Sequence, residues 1–231
     1  MNRALVIGLG GIGSALLEHW RASGAFDEVI GVGSRAQGPS SIQCSHTEAG
    51  VAHTAQQLFP YVGTFSRIAI CTGLLHRGAM QPEKRLEDVQ LEYLQASYFA
   101  NAIYPLLWLK ALLPLVQRNE CVIAACSARV GSISDNKLGG WYSYRAAKAG
   151  LNMLLQTASV EYARRAKGVR LLAFHPGTTN TPLSVPFQAR VPEHKLFTPD
   201  FVADRLSALM DARPNDNRLQ FIDWNHQPID W

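Results

Sequence analysis

The stretch GGWYSYRAAKAGLNML, residues 139–154, brings two tyrosines close to one lysine. Tyr144 lies four residues before Lys148, so on a helix the two side chains share a face. Tyr142 lies six residues before Lys148 and points elsewhere. A phenol with a pKa near 10 is a poor proton shuttle at neutral pH, and bringing it to about 7 takes about 4 kcal/mol. One cation about 4 Å away, at an effective dielectric near 20, supplies about that amount. The pair could thus do acid–base chemistry without a metal. The competing reading is aromatic packing on an amphipathic helix that happens to carry a lysine. None of the histidines shows metal-ligand spacing such as HExxH, and His46, His76 and His175 read as structural or surface residues. No metal site is expected.

A second constellation lies at the start of the chain. ALVIGLGGIGSALLEHW sets Gly8, Gly10 and Gly13 in a GxGxxG pattern between an apolar run and a helical one, with Gly11 and Ile12 completing the turn. Gly8 suits the tight turn, Gly10 lets backbone approach a pyrophosphate, and Gly13 allows close helix–strand packing. The helix N-terminus adds free N–H groups and a positive dipole end. The same run superficially resembles a signal peptide, but the glycine intervals favour a buried strand feeding a turn and a helix. Beyond the second strand, VIGVGSRAQG offers Ser34 and Arg35 where an NAD site usually has a carboxylate. A guanidinium fork suits a 2′-phosphate, so NADP(H) is preferred and NAD(H) stays compatible.

The elements that must hold these residues alternate. Strand-like runs fall at 3–7, 28–33, 41–45, 67–72, 121–126, 169–175 and 219–223, and helical patterns at 11–22, 47–58, 86–117, 142–166 and 199–211. Alternation of this kind predicts one α/β domain over residues 1–231, a mostly parallel sheet with helices on both faces. Two segments break the pattern: the polar, glycine-rich 127–141 and the proline-rich 176–198. Both follow strands, where ligands bind in open α/β sheets, so the second is expected to form a substrate loop. Within it Leu183, Val185 and Phe187, together with Trp141, suggest a partly apolar pocket wall.

Of the 231 residues, 47% are hydrophobic and 17% charged, a globular balance. The net charge of +4 comes without a dense Lys/Arg tract, which argues against nucleic acid. Arg164, Arg165 and Lys167 before Gly168 suit a helix C-terminus. The run 103–116 is too short to span a bilayer and carries Lys110, so no membrane segment is expected. Four cysteines without a close CxxC pair fit a reducing cytoplasm.

In order along the chain, the glycine turn, Asn101 in YFANAIYPL, Ser127 in IAACSARVGSI, YSYRAAK and HPGTTNTPL jointly resemble the short-chain dehydrogenase/reductase family. Within it the chain is similar to the C-factor-like and sniffer-like carbonyl reductases. The resemblance implies a Rossmann-type, doubly wound seven-stranded sheet of order 3-2-1-4-5-6-7, and dimers or tetramers built on two long helices. It implies hydride transfer between a nicotinamide and a small carbonyl or alcohol. Ser127 would hydrogen-bond the substrate oxygen, Tyr144 would give it a proton, and Lys148 would hold the nicotinamide ribose and lower the tyrosine pKa. Asn101 would keep a helix kink and a water, and Pro176, Gly177 and Thr181 would cradle the nicotinamide. Ser132 and Ser134 compete for the role of Ser127.

The chain departs from the family pattern in several positions. The glycine turn is one residue short, Ile70-Cys71-Thr72-Gly73 stands for NNAG with Gly73 alone kept, and Ser45 stands where an Asp often touches adenine. These changes leave a second expectation open, a dinucleotide-binding signalling or redox-sensing protein without turnover. The Arg35 reading has a direct test. Fluorescence titration should show Arg35→Asp sharply weakening NADPH and sparing NADH; equal NADPH binding before and after would remove the preference for the phosphorylated cofactor.

Overall fold

The structure, a computed structural model, describes residues 1–212 and 218–231. Its centre is a seven-stranded, all-parallel sheet. In chain order the strands are β1 (Arg3–Ile7), β2 (Glu28–Gly33), β3 (Ser41–Gln43), β4 (Phe65–Ile70), β5 (Cys121–Cys126), β6 (Val169–His175) and, after a separate short ribbon, β9 (Gln220–Asp223). The spatial order is β3-β2-β1-β4-β5-β6-β9, which is the expected 3-2-1-4-5-6-7 with β9 as seventh strand. The ribbon pairs β7 (Thr178–Thr179) with β8 (Leu196–Phe197) and lies inside the expected substrate loop.

The central strands read as apolar runs because both faces are covered. Along β1, Leu5 and Ile7 face one core, and Ala4 and Val6 the other. The first core takes Val51 and Leu58 from α2 (Glu48–Leu58), Leu109 and Leu112 from α4 (Tyr104–Val116), and Leu151 and Leu155 from α5 (Tyr142–Arg165). The second takes Leu16 and Trp20 from α1 (Gly11–Ser23) and Val202 and Leu206 from α6 (Pro199–Asp211).

Three expectations change. Strand β4 begins at Phe65 and stops at Ile70, and β3 stops at Gln43, so Cys71, Thr72 and Ser45 lie in the loops beyond the strands. The helix predicted over 86–117 opens as a short turn, Leu86–Asp88. It then runs as α3 (Leu91–Tyr98), a π turn (Phe99–Ile103) and α4. The π turn has two causes. Asn101 Nδ2 donates to the Ser97 carbonyl at 2.9 Å, the acceptor its own N–H would use in an α-helix. Pro105 has no N–H to return to the Asn101 carbonyl. Finally, Leu91–Val116 is continuous and, at 26 residues, long and apolar enough by length and composition to cross a bilayer. Here it is a core helix, with Trp108, Leu109, Leu112, Leu115 and Val116 nearly inaccessible.

The glycine turn binds sheet to helix. Gly8 has φ +93°, a left-handed conformation that L side chains resist. A methyl group at Gly13 would run into the Gly8 carbonyl, a backbone atom that cannot swing away. Gly13→Ala should therefore lower stability by about 1–3 kcal/mol, the range for overpacking, read as a lower urea midpoint at unchanged m-value.

Candidate active site

The residues singled out for chemistry come from three elements and converge beyond the carboxyl ends of β5 and β6. A cavity of about 290 Å³ is lined by Ser127, Tyr144, Ile12, Pro176, Gly177 and Thr181, among others. It joins the glycine turn, the end of β5, the first turn of α5 and the segment after β6.

Ser127 leaves β5 directly and is buried. Its N–H donates to the Phe174 carbonyl at 2.8 Å, and its Oγ donates to Asn152 Oδ1 at 2.6 Å. The competing serines are occupied elsewhere: Ser132 and Ser134 hydroxyls lie 3.2 Å apart, Ser132 Oγ accepts from Asp135 N at 3.1 Å, and neither lines the cavity. Asn152 was not anticipated. It follows Lys148 by four residues as Lys148 follows Tyr144, so a Tyr-x3-Lys-x3-Asn stripe along α5 was the available signal.

Tyr144 is half-buried and lines the cavity; Tyr142, the first residue of α5, is exposed and does not. Of the two tyrosines, Tyr144 is thus the one that reaches the cavity. Lys148 is 2% exposed, its Nζ donates to the Cys126 carbonyl at 2.7 Å, and it sits 5.7 Å from the centre of the Tyr144 ring. In the chain by itself Lys148 does not lower the tyrosine pKa. Burial first, then the neighbouring Cys126, push the Tyr144 phenol above its ordinary range and keep it protonated. Burial also pulls Lys148 down to about 8, against the opposing influence of Cys126 and Cys71.

Asn101 is wholly buried in the π turn. Its Nδ2 donates to the Leu74 carbonyl at 2.7 Å, and its Oδ1 accepts from Leu74 N at 3.1 Å. Its side chain thus pins the loop after β4 to the kinked helix. Gly73 lies on that loop and lines a second cavity of about 420 Å³ with His46, Thr72 and Tyr104.

The residues expected to hold a dinucleotide lie beyond the carboxyl ends of β1, β2, β4 and β6. No side chain caps α1 and no acidic residue stands in its first turn, so its positive end is open to an anion. The space where Gly10 would carry a Cβ is empty, and Gly11 has the Thr181 side chain pressed against it, so the turn and the 176–198 segment meet. Ser34 and Arg35 are exposed just beyond β2. Gly177 has φ +73°, and a side chain there would meet Phe197 and Trp224.

One wall of the first cavity is aromatic. The Trp141 ring lies edge-on to Tyr144 at 6.2 Å and to Phe187 at 5.2 Å, and Leu75, Val130 and Leu183 add apolar surface. Val185, expected in this wall, is exposed and outside it, because the 3-10 turn Val185–Arg190 directs Phe187 inward instead. The charges are quenched. Arg129 pairs with Asp223 at 3.0 Å and Asp135 at 3.6 Å; burial first, and then Arg129, bring the His175 pKa down to about 4, leaving it neutral.

Comparison with known proteins agrees with this architecture. The short chain dehydrogenase family model matches residues 2–191, and the chain belongs to that family of NAD(P)-dependent oxidoreductases. It is similar to C-signal of Myxococcus xanthus, 29% identical over 147 residues that cover 63% of this chain and 83% of that protein. In fold it is similar to the NADPH-bound carbonyl reductase from chicken fatty liver, with a TM-score of 0.81 and 22% identity over 100% of this chain and 99% of the other. The carbonyl reductase Sniffer of D. melanogaster superposes with a TM-score of 0.83 and 16% identity, covering 100% of both chains.

The buried ammonium makes stability depend on pH. With Lys148 near 8 in the folded chain and 10.5 as its ordinary value, the unfolded chain binds more protons between the two, so stability rises with pH across that window. Below about 8 the penalty is fully present. Lys148→Met should therefore stabilise the cofactor-free chain at pH 7 by up to about 3 kcal/mol, with the gain shrinking toward pH 10.5, as measured by urea unfolding.

Proposed function

We propose that the protein is an NADP(H)-dependent carbonyl reductase, running also as an alcohol dehydrogenase, in which Tyr144 is the proton donor. The observation that carries this reading is the convergence of Ser127 and Tyr144 on one cavity that also reaches Ile12 of the glycine turn and Pro176–Gly177. Gly8 through Gly13, Gly73, Pro176, Gly177 and Thr181 would hold the dinucleotide, and Ser34 with Arg35 would read its 2′-phosphate. The bound nicotinamide supplies the hydride.

The protein's part is positioning and proton transfer. In the ground state the Ser127 hydroxyl donates a hydrogen bond to Asn152 Oδ1; a substrate carbonyl in the cavity would compete for that donor, which would fix the oxygen and polarise the carbon. A phenol kept protonated by burial is the form needed to donate to the alkoxide that develops during reduction. Lys148, close behind the tyrosine ring, would stabilise the tyrosinate left behind and bind the nicotinamide ribose. Asn101 would act further off, holding the kinked helix and the loop after β4 in register. An apolar, edge-on aromatic wall with no unpaired charge suits a neutral aryl or branched carbonyl compound. The fold likeness to carbonyl reductases supports the same class.

The likeness to C-signal favours one further reading, a dinucleotide-binding signalling protein without turnover. The two separate in a steady-state assay of a carbonyl panel with NADPH and NADH. A robust reductase rate displaces the signalling reading; no turnover, with nucleotide binding coupled to a change of oligomeric state, displaces ours. Tyr144→Phe should lower kcat by at least about 10²-fold while NADPH still binds, and undiminished turnover would reject Tyr144 as the acid.

A further inference from the structure

The helix that carries Tyr144 and Lys148 begins without the usual local cap. Trp141, at its N-cap, offers no side-chain acceptor, and no acidic residue stands in the first turn of α5. The chain reaches it through three successive left-handed residues, Gly139, Gly140 and Trp141, with φ of 64°, 65° and 54°. For a tryptophan this is an uncommon conformation that its surroundings must enforce.

What enforces it is Glu83, sixty residues upstream on the connection between β4 and α3, and 3% exposed. Its carboxylate accepts the Ser143 N–H at 3.2 Å and, through its other oxygen, the Ser143 hydroxyl. Its main-chain carbonyl accepts the Trp141 N–H at 2.5 Å. One residue thus grips the chain on both sides of the helix start and sets a negative charge against the positive end of α5. The grip continues inward. Ser97 Oγ donates to the Ser143 carbonyl at 3.2 Å, and Asn101 Nδ2 reaches Ser97 Oγ at 3.3 Å and the Ser97 carbonyl at 2.9 Å. Glu83, Ser143, Ser97 and Asn101 are all buried. They form a polar strut from the loop after β4 through the kinked helix to the residue directly before Tyr144.

We infer that Glu83 is a positioning residue: through Ser143 and Trp141 it fixes the first turn of α5, and with it both the Tyr144 hydroxyl and the aromatic wall. The inference rests on the reading of Tyr144 as proton donor. A buried carboxylate that served folding alone would sit anywhere its donors could be met. Here every donor it satisfies belongs to the three residues 141–143, next to Tyr144. Glu83→Gln keeps the shape but must turn one contact round, its Nε2 donating to the Ser143 hydroxyl, and it takes the negative charge away from the positive end of α5, so the charge-assisted grip on the turn is weakened.

The test compares wild type, Glu83→Gln, Ser143→Ala and Tyr144→Phe in the full chain, with NADPH and either benzil or benzaldehyde as probe. Glu83→Gln should lower kcat by about tenfold or more, the scale of a small misplacement of reacting groups. The NADPH dissociation constant from fluorescence titration should stay within about twofold, because the cofactor contacts lie elsewhere. The primary isotope effect on kcat with C4-deuterated NADPH should rise as the chemical step slows. Ser143→Ala removes the hydroxyl contact alone and should show a smaller loss in the same sense, and the double variant should lose less than the product of the two single losses. Wild-type kcat in Glu83→Gln, or in Ser143→Ala should Glu83→Gln not fold, overturns the inference, as does a lowered melting temperature with kcat unchanged. If instead Tyr144→Phe turns over at the wild-type rate, the proton-donor reading itself falls.

Discussion

A buried ammonium decides how this fold is put together at its working end. Lys148 lies under the sheet's carboxyl edge with its Nζ on the Cys126 carbonyl at 2.7 Å, and so draws α5 across the end of β5. Removing an ammonium from water is expensive, and one neutral carbonyl offsets only part of that. The helix can lie so close because the loop after β5 presents Gly131 to the Lys148 main chain, where a Cβ would collide with backbone. Ser127 follows Cys126, so the contact that seats the lysine also fixes the serine. Asn152, one turn further along α5, then accepts the serine hydrogen bond. Lysine, serine and tyrosine are coupled through backbone rather than through direct side-chain bonds.

The electrostatics of the chain alone differ from the simple picture of a cation activating a phenol. A charge about 4 Å from a hydroxyl would lower its pKa by several units. In this geometry the ammonium lies 5.7 Å from the ring centre, and burial penalises both ionised forms, raising the tyrosine and lowering the lysine. For the proposed reduction, the protonated phenol is the form that donates. A bound anionic dinucleotide would favour the charged lysine, so cofactor binding and the lysine's protonation should be linked.

Much of this was legible in the sequence because the signals were local. Apolar runs, glycine intervals and the i, i+4 relation of Tyr144 to Lys148 survive folding unchanged; alternation gives the parallel α/β architecture, and the strand order comes from the family resemblance alone. What was not legible depended on distant partners. Strand β4 ends at Ile70 although Cys71 and Thr72 continue the strand-like run, because pairing with β1 and β5 stops there. The π turn in the long helix is set partly by Pro105, which the sequence displays, and partly by Asn101 turning back to the Ser97 carbonyl, a contact that no propensity encodes. Glu83 stands in PEKRLED, a charged stretch that reads as a solvated surface, yet it is 3% exposed. Val185 and Phe187 were equally apolar in the sequence, and only their positions in a short 3-10 turn decide which of them faces the cavity.

The division of labour that results has a physical logic. The groups proposed for proton transfer sit on or directly beside regular elements, Ser127 immediately after β5 and Tyr144 and Lys148 in the first two turns of α5, where the backbone is fixed by ladders and helix bonds. The surfaces that would meet a substrate's body sit on irregular chain: Trp141 at a left-handed helix start, Leu75 on the loop after β4, Leu183 and Phe187 on the segment joined to the sheet by the small β7–β8 ribbon. Irregular segments tolerate substitution more readily than the sheet does, so the wall can vary while the chemistry stays. The exception is Trp141, which belongs to both: its ring forms the wall and its N–H is held by the Glu83 carbonyl at the start of α5. Trp141 is also the wall residue whose ring packs directly on Tyr144, so a change of side chain there alters the tyrosine's own surroundings, whereas Phe187 meets the Trp141 ring.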